Sequence, residues 1–354
     1  MDIIEIKSRL FDYSVEFVDH FEQTINAFAP STAYVIDKNV YELYKQGFAG
    51  ADEDKIFLMD AVESKKNMNT AIEILEFFQR IGLKKNWEVA CFGGGITQDV
   101  TTMAADLYLR NVDWYFFPTT LLAMSDSCIG GKSSINFNGV KNQIGVFYPP
   151  KKIFIDTNFI GTLTNDDYLN GWGELFKFSL VNDPKFYEEV RAEKQLIPCE
   201  RIGYYIHKGL NLKKTIIEED EFDLGIRRTL NFGHTFGHAL EAYTDNTIPH
   251  GQGVLWGIDV VNFIAWKKGL IEEAYYHEIK DFIRQHLIKN EVVVNEPERL
   301  LNYVKSDKKV KGDVLNFALL DGRSHLEIYP IKIDENLYNL FVEYLQSTHK
   351  YFEQ

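Results

Sequence analysis

Short apolar runs alternate with helical segments between residues 33 and 156, and this alternation constrains the fold more than any other feature of the chain. One segment, Asn69–Ile81, carries the apolar stripe of an amphipathic helix. The runs that read as buried strands are Ala33–Asp37, Lys55–Met59, Glu88–Phe92, Asp113–Phe117 and Ile153–Asp156. Strands and helices that alternate in this way predict an α/β fold built on a doubly wound, mainly parallel sheet.

The pattern changes after about residue 160 to long helical periodicity, for example over Ile202–Glu218 and Gly253–Lys267. Two strands, Val314–Leu320 and His325–Tyr329, are predicted to interrupt the helices as a pair. Helical periodicity also runs through residues 15–28. We therefore predict two domains, an α/β domain over residues 1–160 and a mainly helical domain over residues 161–354.

Charge and composition exclude several classes of protein. The formal net charge of −14 argues against nonspecific binding to nucleic acid. Three cysteines are too few for a disulfide framework and favour a reducing compartment. The start of the sequence lacks the apolar core of a signal peptide, and the longest apolar patch, Val254–Trp266, is too short to span a bilayer and contains Asp259. We expect a soluble, cytoplasmic protein without a nucleic-acid or membrane partner.

Three glycines, Gly93–Gly95, follow a predicted strand and open a predicted helix. Glycine allows backbone N–H groups to approach a diphosphate, and a helix N-terminus favours negative charge. The same glycines could instead form only a tight turn between strand and helix. Thr119 and Thr120 end the next strand and belong at the same edge of the sheet, which favours a nucleotide site there.

The stretch Ser125–Asn142 is rich in small and polar residues and contains two lysines. It is interpreted either as a solvated connection or as a loop that binds an anion, since ammonium groups and backbone amides bind phosphate and carboxylate.

Three histidines lie within the segment Arg227–His250. His234 and His238 are four residues apart on a predicted helix and share one face, and His250 follows a loop. Neutral imidazoles at this spacing can bind zinc, although single histidines are often satisfied within a core. Glu174 could complete such a site with two histidines, or it could form a surface ion pair with Lys177, three residues later.

These motifs, in this order, resemble those of the 3-dehydroquinate synthase family of NAD-dependent sugar-phosphate cyclases. The motifs that carry the resemblance are GGGITQD, PTTLLAMSDSCIGGKSSIN, VKNQIGVFYPPKKIFIDT, GWGELFK, RRTLNFGHTFGHALE and HGQGV. The resemblance implies a Rossmann-like N-terminal domain, a helical C-terminal domain, bound NAD and one Zn²⁺ or Co²⁺. It also implies conversion of 3-deoxy-D-arabino-heptulosonate 7-phosphate to 3-dehydroquinate and phosphate, a step of the shikimate pathway.

The resemblance assigns a role to individual positions. The implied metal ligands are Glu174, His234 and His250, and His238 is implied to be a catalytic or substrate-binding residue and not a ligand. The other implied catalytic or substrate-binding residues are Asp126, Lys132, Asn142, Lys177, Lys213, Arg227 and Asn231, and Lys308 or Lys309 would close the pocket. Arg110 is implied to reach the substrate phosphate of a neighbouring subunit, and hence a homodimer is implied. The implied NAD contacts are Asp37, Asn39, Glu63, Lys66, Gly94, Gly95, Asp99, Thr119, Thr120, Lys132, Lys141, Phe159 and Thr162.

The chain departs from the family pattern at several positions, including Gln98 in the glycine turn, Trp172 before the expected metal glutamate and Ser125 before Asp126. Two alternatives therefore stand beside the leading prediction. One is a paralogous cyclase similar to 2-deoxy-scyllo-inosose synthase, although Asn231 stands where those relatives have glutamate. The other is a metal-dependent alcohol dehydrogenase of the glycerol dehydrogenase type.

Overall fold

The computed structural model describes residues 3–28, 30–289, 292–305 and 312–347. The chain forms two compact units. Unit 1 comprises Met1–Asp167 together with Ile202–Phe222, and unit 2 comprises Tyr168–Arg201 together with Asp223–Gln354. The helix over residues 202–219, which the sequence pattern placed in the helical half, thus packs with unit 1.

Unit 1 is built on a seven-stranded sheet. The strands of the unit are β1 (Ile3–Ile6), β2 (Tyr13–Phe17), β3 (Thr32–Asp37), β4 (Ile56–Met59), β5 (Glu88–Gly93), β6 (Asp113–Pro118), β7 (Lys132–Phe137), β8 (Val140–Phe147) and β9 (Lys152–Ile155). The order in the large sheet is β1-β2-β9-β6-β5-β3-β4, and β7 pairs with β8 in a separate hairpin. Only β1 and β2 pair antiparallel in the large sheet, so the predicted α/β fold on a mainly parallel sheet is confirmed.

Helices flank the strands of unit 1 and make up most of unit 2. They are α1 (Phe21–Ala27), α2 (Lys38–Leu43), α3 (Met68–Arg80), α4 (Gly95–Leu107), α5 (Asn165–Ser179), α6 (Pro184–Arg191), α7 (Ile202–Glu219), α8 (His234–Tyr243), α9 (His250–Lys267), α10 (Glu273–Phe282), α11 (Pro297–Lys305) and α12 (Glu335–Ser347). The predicted helix over Asn69–Ile81 corresponds to α3, which begins after Asn67 caps the N–H of Thr70. The predicted strand pair of unit 2 is present as β10 (Val314–Leu320) and β11 (Leu326–Lys332).

Two predictions of local structure were wrong. Residues 15–17 are not helical but lie in β2, because Val15 pairs with Ile4 on one side and with Ile153 on the other. The stretch Ser125–Asn142 is not a loop, since it contains part of a π-helix, all of β7 and the start of β8. Its turn is Asn138-Gly139, with φ of 49° and 76°, the left-handed pair that a two-residue hairpin requires.

Aromatic side chains fill the core of unit 1 next to the end of β5. The ring of Phe92 stacks on that of Phe117 with centroids 4.0 Å apart. In unit 2, α9 is buried from Gly251 to Ala265. Even so, none of the helices in the described ranges combines the length and apolar character that crossing a membrane requires.

Candidate metal centre and nucleotide cradle

Three helices of unit 2 carry the candidate metal ligands, and glycines bring these helices together. Glu174 lies on α5, His234 and His238 lie on α8, and His250 is the first residue of α9. A Cβ atom at Gly173, beside Glu174, would overlap the backbone of Gly251, beside His250. The same holds between α8 and α9, where a Cβ at Gly237 would lie 2.8 Å from the carbonyl oxygen of Gly253. The close approach of the helices therefore depends on residues that lack a side chain.

Glu174 faces two of the histidines. Its Oε1 lies 3.3 Å from Nε2 of His234 and 3.2 Å from Nε2 of His250, and the glutamate is fully buried. The ring of His238 lies 5.4 Å from that of His234 and 5.5 Å from that of His250, between centroids. The three histidines also offer nitrogens within 4.8 Å of one another. Glu174 and His238 are thus alternative third ligands beside His234 and His250.

In His234 and His250, the ring nitrogen that does not face Glu174 lies next to an oxygen acceptor. Nδ1 of His234 lies 3.0 Å from the carbonyl oxygen of Phe232, and Nδ1 of His250 lies 2.8 Å from Oε1 of Glu241. An N–H at Nδ1 donates to each acceptor, so Nε2 is the nitrogen that can bind a cation once it carries no proton. No role for Glu241 was predicted from the sequence. Its spacing of seven residues from His234 was the available signal, because that spacing places both residues on one helical face.

The charges of this cluster shift the pKa values of its members. Burial would raise the pKa of Glu174, but the nearby Lys177 and His234 hold it well below its usual range. Lys177 contacts the other carboxylate oxygen of Glu174, so the ion pair is buried and not on the surface. Burial lowers the pKa of His234. For His250 burial acts in the same direction, but hydrogen bonds to Glu174 and Glu241 prevail and raise the pKa to about 10.

The donor set fits a divalent cation such as Zn²⁺. One carboxylate oxygen and two imidazole nitrogens face one another, and the second nitrogens already have partners. Three protein ligands of this kind leave a coordination position for a substrate oxygen, as in catalytic zinc sites.

In unit 1, the carboxyl ends of β3, β5 and β6 meet at one edge of the sheet. Gly93 pairs with Pro118, and the N–H of Thr119 donates to the carbonyl oxygen of Gly93 over 3.0 Å. A Cβ at Gly94 would lie 3.1 Å from the methyl group of Thr120, whereas a Cβ at Gly95 would meet only Oγ of Ser127, at 3.9 Å. Packing therefore does not explain the glycine at 95. Open space before the first turn of α4 fits a diphosphate, which the helix N-terminus attracts.

Three of the predicted nucleotide contacts are bonded to the β7–β8 hairpin or to one another. Nζ of Lys66 lies 2.6 Å from Asp99 and 3.0 Å from Oδ1 of Asn142. Oε1 of Glu63 accepts a hydrogen bond of 2.7 Å from Asn136. Burial raises the pKa of Asp99. The structure thus joins Glu63, Lys66 and Asp99 into one polar network, and Asn136 is a member that sequence reasoning missed.

Two other predicted nucleotide segments lie at the end of β3 and in the 3₁₀-helix Thr157–Thr162, which follows β9. Asp37 ends β3, and its side chain accepts from the N–H of Asn39. The ring of Phe159 is buried against Phe21, so only the backbone of Phe159 remains for contact with a nucleotide. Thr162 contacts the hydroxyl of Tyr44 over 3.0 Å.

The predicted substrate residues occur in both units. In unit 1, Nζ of Lys213 lies 3.0 Å from Oδ1 of Asp126. Lys132 and Lys141 are exposed on the hairpin, and Arg110 is exposed at a left-handed φ of 57°. Unit 2 contributes the buried Arg227, and Asn231, whose amide donates to the carbonyl oxygen of Arg228. Lys308 and Lys309 lie outside the described residues.

Trp172, at which the chain departs from the family pattern, is a core residue of unit 2. The indole is fully buried, and its Nε1 donates to the carbonyl oxygen of Leu196 over 3.0 Å. The side chain therefore packs within the core of unit 2.

Comparisons with known proteins agree with this architecture. A family model described as 3-dehydroquinate synthase N-terminal matches residues 56–170, and one described as 3-dehydroquinate synthase C-terminal matches residues 171–310. A 3-dehydroquinate synthase from Caldanaerobacter subterraneus subsp. tengcongensis is 32% identical over 350 residues, which cover 95% of this chain and 98% of the relative.

Two solved structures share the fold. One is a 2-epi-5-epi-valiolone synthase from Streptomyces hygroscopicus subsp. jinggangensis with NAD⁺ and Zn²⁺ bound, with a TM-score of 0.85, 24% identity and coverage of 95% of this chain and 97% of the other. The second is a 2-deoxy-scyllo-inosose synthase complexed with carbaglucose-6-phosphate, NAD⁺ and Co²⁺, with a TM-score of 0.85, 20% identity and coverage of 96% and 99%. The two family matches and the extent of the sequence identity establish that this chain belongs to the 3-dehydroquinate synthase family.

Proposed function

We propose that this chain is a 3-dehydroquinate synthase, which converts 3-deoxy-D-arabino-heptulosonate 7-phosphate to 3-dehydroquinate and phosphate in the shikimate pathway. The observation that carries the proposal is the cluster of Glu174, His234 and His250 in a chain of this family. Such a cluster suits a reaction in which oxygen atoms of a sugar must be polarised.

The cofactors of the proposed reaction are NAD and one Zn²⁺ or Co²⁺, and related cyclases were solved with these groups. When bound, NAD would accept and return a hydride, and the cation would polarise a hydroxyl or carbonyl oxygen. Gly94, Gly95, Thr119 and Thr120 would hold the nucleotide in unit 1. Glu174, His234 and His250 would hold the cation in unit 2.

Cationic and amide side chains match the charges of the proposed substrate. A phosphate and a carboxylate need lysine, arginine and amide donors, and an enolate that develops during elimination needs the same. The residues proposed for these roles are Lys132, Asn142 and Lys213 in unit 1 and Lys177, Arg227 and Asn231 in unit 2. His238 is exposed beside the other two histidines, and we assign it the transfer of protons to and from the substrate.

The proposed reaction releases phosphate and then closes a ring, so phosphate release is the quantity that tests the proposal. We expect phosphate release from the heptulosonate phosphate in the presence of NAD⁺ and zinc, without net formation of NADH, because the hydride is returned. His250→Ala should abolish release. Release only from another sugar phosphate would assign the chain to the paralogous cyclases, and net NADH from a simple alcohol would assign it to the alcohol dehydrogenases.

The chain is also proposed to act as a homodimer in the cytoplasm. Free thiols at Cys91, Cys128 and Cys199 suit a reducing compartment. If Arg110 serves a neighbouring subunit, a mixture of Arg110→Ala and His250→Ala, each inactive alone, should regain about a quarter of the active sites, because half of randomly formed dimers would contain one complete site. No recovery after mixing and reassociation would contradict this arrangement.

A further inference from the structure

Gln98 lies in the glycine turn, at a position where the family resemblance implies another residue, and the proposed reaction does not use it. The residue lies in the first turn of α4 and is 3% exposed, so its amide must find partners within the protein.

Both ends of the Gln98 amide are bonded to Ser127. The hydroxyl of Ser127 donates to Oε1 of Gln98 over 2.6 Å, and Nε2 of Gln98 donates to the carbonyl oxygen of Ser127 over 2.8 Å. A residue without a polar side chain, such as glycine, would form neither bond. The amide thus joins α4 directly to the segment that contains Ser127.

That segment is a π-helix, Ala123–Ser127, which also carries Asp126. The π-helix is a rare form that occurs as short insertions, frequently at functional sites. Asp126 forms an ion pair with Lys213 over 3.0 Å, and both are proposed substrate residues. Oγ of Ser127 is also the atom nearest to a Cβ built on Gly95. Gln98 therefore connects Gly95, a proposed contact of the diphosphate, with Asp126 and Lys213, the proposed substrate residues.

We propose that Gln98 is a positioning residue, which fixes the π-helix through Ser127 and so sets the place of Asp126 and Lys213 relative to the glycine turn. The expected effect on KM rests on the proposed function. The expected effect on the structure of the π-helix does not. Gln98 acts through Ser127 and need not touch the substrate.

Gln98→Met tests the proposal, because methionine has a similar length and forms neither hydrogen bond. We expect a rise of about tenfold in KM for the sugar phosphate from the loss of two buried bonds, while Kd for NAD⁺ changes by less than about twofold. The matched control is Gln79→Met, at an exposed position on α3. A lower melting temperature with unchanged KM would overturn the proposal in favour of a purely structural role.

Ser127→Ala removes one of the two bonds and gives a milder second variant. If the two side chains act through each other, Gln98→Met combined with Ser127→Ala should raise KM little further than Gln98→Met alone. If instead the increase in KM of the double variant equals the product of the two single increases, the proposal is contradicted.

Hydrogen exchange of residues 121–131 gives a readout that does not depend on turnover. Gln98→Met should exchange faster in this segment than wild type and Gln79→Met, even if the heptulosonate phosphate is not the substrate. Equal exchange would overturn the inference while leaving the proposed function untouched.

Discussion

At the scale of single residues, the candidate metal centre depends on groups that orient the ligands as much as on the ligands themselves. Glu174 is fully buried. A carboxylate is buried in this way only where a positive charge compensates it. Lys177 supplies such a charge, and the two histidines point their Nε2 atoms at the same carboxylate oxygen. Glu241 holds the far side of His250.

Glu241→Ala should weaken zinc binding by about 10- to 100-fold, because the hydrogen bond to Nδ1 fixes both the orientation and the tautomer of the imidazole. Glu241→Gln keeps an oxygen acceptor and should lose less. Competition with a chelating dye measures the Kd, and Glu273→Ala, a glutamate on the exposed side of α10, serves as the control. Equal affinities for wild type and Glu241→Ala would disprove this role.

Zinc affinity should fall as the pH falls. The pKa of His250 is raised to about 10, so near neutral pH the imidazole carries a proton that the cation must displace. One displaced proton weakens binding by about tenfold for each pH unit, for example from about pH 7 to about pH 6. A dependence that is flat over this range would show that His250 binds the cation without releasing a proton.

At the scale of helices and strands, the site exists because α5, α8 and α9 approach one another at glycines. A Cβ at Gly257 of α9 would overlap the carbonyl oxygen of Gly233, the residue before α8. Gly203 of α7 does have room for a side chain. A Cβ atom built there would lie 3.7 Å from a methyl group of Thr157, which is an ordinary van der Waals contact.

Gly257→Ala should therefore destabilise the protein by about 3 kcal/mol or more, because a backbone group must move. Gly203→Ala should raise the free energy of unfolding by up to about 1 kcal/mol, since alanine favours the helix. Urea denaturation measures both changes. Equal effects of the two substitutions would mean that the helices can separate without cost.

At the scale of the whole molecule, the proposed sites for the two cofactors lie in different compact units, so we expect the cofactors to stabilise the protein separately. Each ligand, at about a hundredfold excess over its Kd, stabilises the folded state by about 2.7 kcal/mol. Thermal unfolding should therefore respond to NAD⁺ and to zinc in wild type.

His250→Ala should lose the response to zinc and keep that to NAD⁺, and Gly95→Val should do the reverse. We expect the fold to tolerate the valine, because a Cβ atom at position 95 meets only Oγ of Ser127, at 3.9 Å, whereas the side chain would occupy the proposed position of the diphosphate. Loss of both responses in either variant would contradict separate sites.

The sequence by itself determined the alternation of strands and helices, the meeting of Gly93 and Thr119 at one edge of the sheet, and the family. These three features follow from local periodicity and from motifs that are contiguous in the chain. Such patterns are present in the amino-acid sequence itself. The same local reading failed for Val15, because its two neighbouring strands are distant in sequence.

Only the tertiary structure decided the partners of the polar side chains. It showed that Lys177 is buried against Glu174, that Glu241 orients His250, and that Gln98 holds Ser127. The last two contacts join residues 9 and 29 positions apart, respectively. Periodicity tells which face of an element is buried but not which distant element covers that face, so such contacts appear only once the chain has folded.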